Sequence, residues 1–402
     1  MDELTSLGLI LLLALLAGHL VRALRIPEVT GYLLAGVVLG PSVLGWLSQD
    51  NLSALGVVSE VALGLILFSV GSVFESSLFR RIGRQVVQLT LVESALAAAV
   101  VATGMLVLGQ SWQIAFLLGA VAMATAPAST LMVVRECNSA GPVTDYLLGV
   151  IAVNNVLCIT VYSLVAAGID LTSPASSSFF WTLYRSAFTF AWQMVGSAAL
   201  GFLLGLLLAK WSAQVTEGGE MLILLAGSIL LCVGVARGLD LSPLVASLAV
   251  GATMVNLTER SRHLFETLAG TDPPFYAMFF VLAGAQLDVS LVPTMGVLGV
   301  VYVLGRAGGK FIGARVAAKR LGLEQSVQRL LGFALMAQAG LAVGLTFAIN
   351  DRFPAIAPVI TTVVLGSVAV YEIFGPISTR FALVRAGEAQ KAKPSARDPI
   401  KM

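Results

Sequence analysis

The stretch AFLLGAVAMATAPASTLMVV, at residues 115–134, carries a proline in the middle of an apolar segment. About 20 predominantly apolar residues suffice to cross a bilayer as a helix. Pro127 removes one backbone donor and clashes with the preceding turn. The hydroxyl groups of Thr125, Ser129 and Thr130 are placed to bind the backbone groups that are freed. The stretch therefore predicts a membrane helix that is broken near its midpoint.

A second apolar segment, LLGFALMAQAGLAVGLTFAI at 330–349, has Gln338 and Gly340 at its centre but no proline. If successive spans alternate in direction, the two segments run oppositely through the membrane. Paired interrupted helices of opposite direction are typical of secondary transporters with inverted repeats, whose half-helix ends hold an ion near the midplane. The alternative for each segment is an ordinary kinked helix that packs through glycine and proline.

The composition of the whole chain agrees with a membrane protein. Its 402 residues are 57% hydrophobic and only 11% charged, with a mean hydropathy of +0.92, whereas soluble proteins are about 25% charged. We expect an all-α polytopic protein with about 13 transmembrane helices. The predicted spans are 4–21, 28–47, 53–74, 86–108, 112–134, 146–168, 180–209, 220–236, 242–257, 273–288, 293–316, 328–349 and 355–383. Residues 1–386 form the predicted transmembrane domain, and 387–402 a short basic cytoplasmic tail.

The distribution of basic residues predicts the orientation. If the N-terminus lies outside, most of the 24 Lys and Arg residues fall at the inward ends of the spans, as the positive-inside rule requires. The C-terminus then lies inside. Loop lengths fit a bacterial inner membrane, and the net charge of +2 gives no reason to expect a nucleic-acid partner.

Seven motifs along the chain, in this order, resemble those of one known family. They are IPEVTGYLLAGVVLGP at 26–41, VSEVALGLILFSVG at 58–71, ATAPASTLMVVRE at 124–136, GPVTDYLLGVIAVNN at 141–155, DPPFYAMFFVLAGAQLD at 272–288, GRAGGKFIGAR at 305–315 and MAQAGLAVGL at 336–345. The chain resembles the monovalent cation:proton antiporter superfamily, in the branch of bacterial sodium/proton exchangers and the membrane domains of potassium-efflux antiporters.

The resemblance implies a fold, a function and an assembly. It implies a dimerisation subdomain interleaved with a six-helix core, in which two unwound helices cross near the midplane. It further implies a lipid-embedded homodimer that exchanges Na⁺ or K⁺ for protons by an elevator-type movement. No cofactor and no metal other than the transported ion is expected, and no catalytic motif of an enzyme is present outside the apolar segments.

One position departs from the family pattern. The family carries an aspartate at the position of Asn155, and often another acid before it, whereas this chain has Asn154 and Asn155. A buried carboxylate can exchange a proton for a cation, but a carboxamide has no charge and does not titrate. The resemblance places the ion site at this pair, with oxygens from Thr125, Ser129 and Thr130 at the first break and Gln338 at the second.

Three interpretations follow for proton coupling. The chain can be a trapped or uncoupled exchanger; another acid can supply the coupling, with Glu60 ahead of Glu93 and Asp145; or the solute can be an anion or a neutral molecule. Each acid also has a structural interpretation. Glu60 and Glu93 can pair with basic residues inside the membrane, and Asp145 can cap a helix N-terminus. A sensor or partner subunit that transports nothing is a further alternative.

Two basic residues, Arg306 and Lys310, lie four positions apart and share a helix face. The resemblance assigns Lys310 to the basic residue that balances charge beside the family's carboxylates. Its alternative is snorkelling towards the inner surface. Arg306 lies deeper in the span and is expected to have a functional or core-structural role. Both residues are candidates to pair with Glu60 or Glu93.

Overall fold

The computed structural model describes residues 3–71, 76–172, 184, 188, 191–212, 214–215, 218–257 and 273–389. Within these residues all regular structure is helical. The first half contains α1 (Glu3–Ala23), α2 (Glu28–Leu39), α3 (Gln49–Ala54), α4 (Gly56–Gly71), α5 (Ser76–Val107), α6 (Trp112–Ala122), α7 (Pro127–Glu136) and α8 (Pro142–Thr172). The second half contains α9 (Ser197–Ser212), α10 (Gly218–Gly238), α11 (Pro243–Leu257), α12 (Pro273–Ala285), α13 (Leu291–Thr294), α14 (Gly296–Arg320), α15 (Gln325–Ala334), α16 (Gly340–Arg352) and α17 (Ala357–Arg385).

Eight helical segments of the described chain are long and apolar enough to cross a membrane. They are Leu4–Ala23, Ile82–Val107, Trp112–Glu136, Pro142–Asp170, Trp192–Ser212, Gly219–Gly238, Gly296–Arg320 and Ala357–Arg385. Shorter apolar helices lie at Glu28–Leu39, Gly56–Ser69, Pro243–Leu257, Pro273–Ala285 and Gly340–Asn350. The polytopic all-α prediction is confirmed; the number of crossings and the orientation of the termini stay predictions. Part of the predicted span 180–209 lies outside the described residues.

Some helices extend well beyond the apolar segments that predicted them. The span predicted at 86–108 belongs to α5, which begins at Ser76 and has 32 residues. The span predicted at 146–168 belongs to α8, which has 31 residues. Hydrophobicity marks only the part of a helix inside the hydrocarbon, about 20 residues, and helical turns continue beyond it into the polar interface.

The helices pack in two groups. One group consists of α5, α6, α7, α8, α14, α15, α16 and α17, and the other consists of α1, α2, α4, α9, α10, α11 and α12. Contacts between the groups run mainly through α7 and α17 on one side and α2 and α4 on the other. Both broken segments and the helix with the asparagine pair belong to the first group, which we call the core group.

The start of the predicted tail is part of the fold. Glu388 is buried, and its carboxylate accepts hydrogen bonds from the backbone N–H groups of Val143 (2.7 Å) and Thr144 (2.8 Å). A carboxylate stabilises a helix N-terminus, so this contact fixes the beginning of α8. Glu388 of the predicted tail therefore packs against the transmembrane helices, while the boundary at residue 386 stays a prediction. Residues 390–402 of the predicted tail lie outside the described residues.

Candidate functional site

Both predicted helix breaks are present, and they contact each other. α6 ends at Ala122 and α7 begins at Pro127, while α15 ends at Ala334 and α16 begins at Gly340. The backbone N–H of Ala126 in the first break donates to the carbonyl of Ala337 in the second at 3.0 Å. Pro127 thus starts the second half-helix of one segment, and Gly340 that of the other. We call this meeting of the two breaks the crossover.

Arg306 holds the crossover together. Its side chain is fully buried, and its guanidinium lies over the ring of Tyr371, 4.2 Å from the centroid. It donates four hydrogen bonds of 2.6–3.2 Å to carbonyl oxygens, those of Ala122, Ala124, Met336 and Ala337. Broken helices free such carbonyls, and leaving them without a donor inside a membrane is costly. Of the two roles expected for Arg306, functional or core-structural, these contacts support the core-structural one.

Glu93 and Lys310 form an ion pair beside the crossover. Lys310 Nζ lies 3.0 Å from Glu93 Oε2, and both side chains are 0% exposed. Lys310 Nζ also donates to Thr125 Oγ1 at 2.9 Å. The pair connects α5 to α14 and reaches the first break. Removing either partner of such a buried pair leaves an uncompensated charge, which is strongly unfavourable.

Two glycines allow α14 to approach α5 at this point. A Cβ atom on Gly313 would lie 2.6 Å from the Cα of Glu93, and one on Gly309 would lie 2.6 Å from the Cα of Ala97. Only hydrogen at these positions permits so close a contact between the backbones, as is common between membrane helices. The glycines therefore place Lys310 within reach of Glu93.

Asn154 completes the surroundings of the Glu93 carboxylate. Its Nδ2 donates to Glu93 Oε1 at 2.9 Å and to Ser94 Oγ at 2.7 Å, and Ser94 Oγ donates to Glu93 Oε1 at 2.8 Å. One carboxylate oxygen thus accepts two neutral hydrogen bonds, and the other binds the lysine. The first residue of the asparagine pair acts here as a donor to an acid on a neighbouring helix.

Several buried oxygens of the predicted site have no hydrogen-bond donor among the described residues. They are Asn154 Oδ1, Asn155 Oδ1, Ser129 Oγ and Gln338 Oε1. The Gln338 amide is held at its other end, where Nε2 donates to the carbonyl of Val121 at 3.0 Å and to the hydroxyl of Tyr302 at 2.9 Å. Buried polar atoms are normally paired. Neutral oxygens without donors are suited to coordinate a cation.

The structure separates the remaining candidates. Thr130 donates to the carbonyl of Ala126 at 2.9 Å, which stabilises the first turn of α7. Glu60 lies on α4, outside the core group, and forms a partly exposed ion pair with Arg237. Asp145 lies in the first turn of α8, nine residues before Asn154 and therefore about 13 Å away along the helix.

The contacts of the three candidate acids differ, and which acid couples protons stays a prediction. Glu60 was placed ahead of Glu93, but only Glu93 of the three reaches Lys310 and the asparagine pair. The proposed pairing of Glu60 with Arg306 or Lys310 is likewise not formed, because its partner is Arg237. Sequence position alone gave no indication of which helix faces meet.

Sequence reasoning missed four residues around the crossover: Ser94, Tyr302, Tyr371 and Glu372. Tyr302 precedes Arg306 by four residues, so the spacing placed it on the same helix face. Ser94 adjoins Glu93 in an otherwise apolar run, which is a polar doublet of the same kind as the asparagine pair. Tyr371 and Glu372 lie in the predicted span 355–383, where an acid inside an apolar segment and Pro376 four residues later were the available signals.

Comparisons with known proteins cover almost the whole chain. The family model described as "Sodium/hydrogen exchanger, transmembrane" matches residues 8–385. The chain is 24% identical over 336 residues to the ammonium/H⁺ antiporter subunit AmhT of Alkalihalophilus pseudofirmus, covering 80% of this chain and 83% of that one. It is 24% identical over 384 residues to a glutathione-regulated potassium-efflux system protein of Haemophilus influenzae, covering 90% of this chain but only 58% of the relative.

The fold is similar to a solved structure. The sodium proton antiporter MjNhaP1 from Methanocaldococcus jannaschii aligns with a TM-score of 0.75 and 18% identity, covering 98% of this chain and 100% of that chain. A second structure of the same protein aligns with a TM-score of 0.69 over 96% of both chains. At this level of identity the likeness shows a shared fold.

Proposed function

This chain belongs to the sodium/hydrogen exchanger family, and we propose that it exchanges a monovalent cation, Na⁺ or K⁺, for protons across a membrane. The observation that carries the proposal is the buried Glu93–Lys310 pair beside the crossover. It supplies a carboxylate and a titratable base at the ion site, where Asn154 and Asn155 supply neither. Proton coupling is thus retained by a different acid, in contrast to the trapped or uncoupled alternative.

Exchange follows from the electrostatics of the pair. An entering cation competes with the Lys310 ammonium for the Glu93 carboxylate. Once displaced, a buried ammonium without a partner is unfavourable, because desolvation disfavours the charged form of lysine. The ammonium N–H bond breaks, the proton leaves, and neutral lysine remains beside the cation–carboxylate pair. Reprotonation of Lys310 expels the cation, so the charge of the site is the same in both states.

The asparagine pair contributes oxygen and hydrogen bonds to this site without charge. Asn154 holds the Glu93 carboxylate through Nδ2, while the Oδ1 atoms of Asn154 and Asn155 have no described donor and are available to a cation. Thr125 Oγ1 contacts Lys310 directly. We propose that these oxygens, with Ser129 and Gln338, replace part of the hydration shell of the transported ion.

We propose an elevator-type movement of the core group against the second helix group, in a homodimer within a bacterial inner membrane. Support comes from the location of the crossover, Glu93 and Lys310 inside the core group, so that one body carries the whole site. At the predicted inner end the two groups are joined by polar contacts. Glu136 of α7 accepts the backbone N–H of Glu28 at 2.8 Å, and Arg135 donates to the Tyr276 hydroxyl at 2.9 Å.

An exchange assay tests the role of the pair. In proteoliposomes with imposed Na⁺ or K⁺ gradients, Glu93→Gln should lose cation-driven proton flux, since the carboxylate that competes for the cation is gone. Glu60→Gln is the matched control, because Glu60 pairs with Arg237 outside the core group, and it should retain the wild-type flux.

Folding must be controlled in the same assay. Removing one member of a buried ion pair costs about 3–5 kcal/mol, so the double variant Glu93→Gln/Lys310→Met serves if the single variant does not fold. It should be monodisperse and inactive. Full flux in a folded variant without Glu93 would contradict the proposal. Flux that follows an anion gradient with no cation requirement would favour the anion-carrier alternative. If the chain produced no flux under any gradient, a sensor or partner subunit would be favoured.

A further inference from the structure

A second buried acid lies in α17, outside the site described above. Glu372 is at the midpoint of this 29-residue helix and is 3% exposed. At 1.5 Å per residue the helix is about 43 Å long, so Glu372 lies about 20 Å from either end and well inside the hydrocarbon thickness. Ionisable residues at such depth are rare and are functional candidates by default.

Two oxygen atoms of Glu372, one in the carboxyl group and one in the backbone, lack a hydrogen-bond donor within the described part of the chain. Glu372 Oε2 is buried with no hydrogen-bond donor among the described residues. Pro376 lies four residues later, inside the helix. A proline has no N–H, so the backbone carbonyl four residues before it, that of Glu372, receives no helical hydrogen bond. One residue therefore presents a carboxyl group and a freed carbonyl at membrane depth.

The neighbouring residues of α17 contact the crossover. A Cβ atom on Gly375 would lie 2.5 Å from the Cα of Ala337, in the second break. The hydroxyl of Tyr371 donates to the carbonyl of Val303 at 2.5 Å, and its ring lies beneath the Arg306 guanidinium. Glu372 is thus within one helical turn of two residues that touch the crossover or the arginine that holds it.

The charged side chains that the structure describes on helices packed against α17 are engaged elsewhere or exposed. Arg306 binds carbonyls, Lys310 pairs with Glu93, and Arg352 of α16 pairs with Asp170. Three further side chains have partners, since Glu136 pairs with Arg380, Arg135 binds Tyr276 and Glu28 pairs with Arg22. The remaining four are exposed: Arg315, Lys319, Arg320 and Arg329. Within the described chain, Glu372 has no ion pair.

We propose that Glu372 is a second exchange site, which holds a proton in the absence of a cation and a monovalent cation in the absence of that proton. An isolated ionised carboxylate in an apolar surrounding is very costly, so the empty site carries a carboxylic acid. When Na⁺ or K⁺ binds between the carboxylate and the freed carbonyl, the acid O–H bond breaks and the proton leaves to solvent. This proposal rests on the proposed function, because transport brings the cation to the site. The binding of the cation to Glu372 can nevertheless be measured without transport.

Proton release on cation binding tests the site directly. The full chain, purified in detergent and weakly buffered with a pH-sensitive dye, is mixed with NaCl or KCl, with choline chloride as the blank. Wild type should release protons at both sites, from the Lys310 ammonium beside Glu93 and from the Glu372 carboxylic acid. Glu372→Gln should lose about half of this release, Glu93→Gln should keep the Glu372 share, and the double variant should release none. Release by Glu372→Gln equal to that of wild type would overturn the proposal.

Two further variants guard against a folding defect. Glu372→Asp keeps the carboxyl group and should keep the release. Pro376→Ala restores the missing N–H donor, which occupies the Glu372 carbonyl, and should raise the cation concentration for half-maximal release several-fold. An unchanged concentration would count against the freed carbonyl as a ligand. A wild type that releases the Glu372 proton but moves no cation in vesicles would refute the proposed function and leave this site standing.

Discussion

Asn154 and Glu93 are best understood together. The Asn154 amide donates to the Glu93 carboxylate at 2.9 Å; an aspartate at 154 would place a second negative charge against it. Like charges at this distance disfavour the ionised form of both groups. The amide at 154 thus avoids a like-charge contact with Glu93 and donates a hydrogen bond to its carboxylate instead.

Arg306 gives a sharp prediction at this scale. Its guanidinium serves four carbonyls on both breaks, and lysine has only three donors on one atom. Arg306→Lys therefore leaves at least one buried carbonyl without a donor, at a cost of about 1–3 kcal/mol. We expect a lower midpoint of thermal unfolding in detergent. The exposed Arg315→Lys is the control, and equal midpoints for both variants would show that the carbonyl contacts contribute nothing.

At the scale of elements, the approach of α14 to α5 decides whether the ion pair can form. Gly309 and Gly313 flank Lys310, and each meets backbone atoms of α5. The motif GRAGGKFIGAR at 305–315 therefore has a packing role: its glycines remove the Cβ atoms that would hold the two helices apart. The pair is a consequence of helix packing as much as of charge.

Two glycine substitutions on α14 distinguish the effect of close helix packing from that of the low helix propensity of glycine. A Cβ on Gly313 would lie 2.6 Å from the Cα of Glu93, whereas one on Gly308 meets nothing within 4 Å. Gly313→Ala should cost about 1–3 kcal/mol by overpacking and lower exchange, because Lys310 moves away from Glu93. Gly308→Ala should be neutral or gain about 0.5–1 kcal/mol. Thermal unfolding and vesicle flux are measured for both variants. Equal unfolding midpoints and equal fluxes would refute the close approach of α14 to α5.

Much of the element level was predictable from the sequence. Pro127 marks the first break because proline cannot continue a helix, and Gly340 marks the second less strongly. The pairing of Glu93 with a basic residue inside the membrane was one of the predicted alternatives. Nothing in the sequence indicated that Glu93, and not Glu60, would contact Lys310. Which face of α4 or α5 turns to α14 depends on contacts between distant helices, and these leave no mark in local hydrophobicity. Glu372, in contrast, does leave a mark in the sequence, since it is an acid inside the predicted span 355–383 and lies four residues before Pro376.

At the scale of the molecule, the site is carried by one helix group. The crossover, Glu93, Lys310 and the asparagine pair all lie in the core group, and its contacts with the second group run through few helices. A movement of one group against the other would carry the ion site without opening the pair. The same arrangement places Glu372 in the core group, to which α17 belongs.

The central claim is that this chain, with asparagine at both 154 and 155, is itself a coupled exchanger. The most direct measurement is proton flux in proteoliposomes under imposed Na⁺ and K⁺ gradients, comparing the chain with Asn155→Asp. We expect the unmodified chain to exchange cations for protons through Glu93 and Lys310. Exchange by the aspartate variant alone would show that the coupling acid is absent here and would contradict the account.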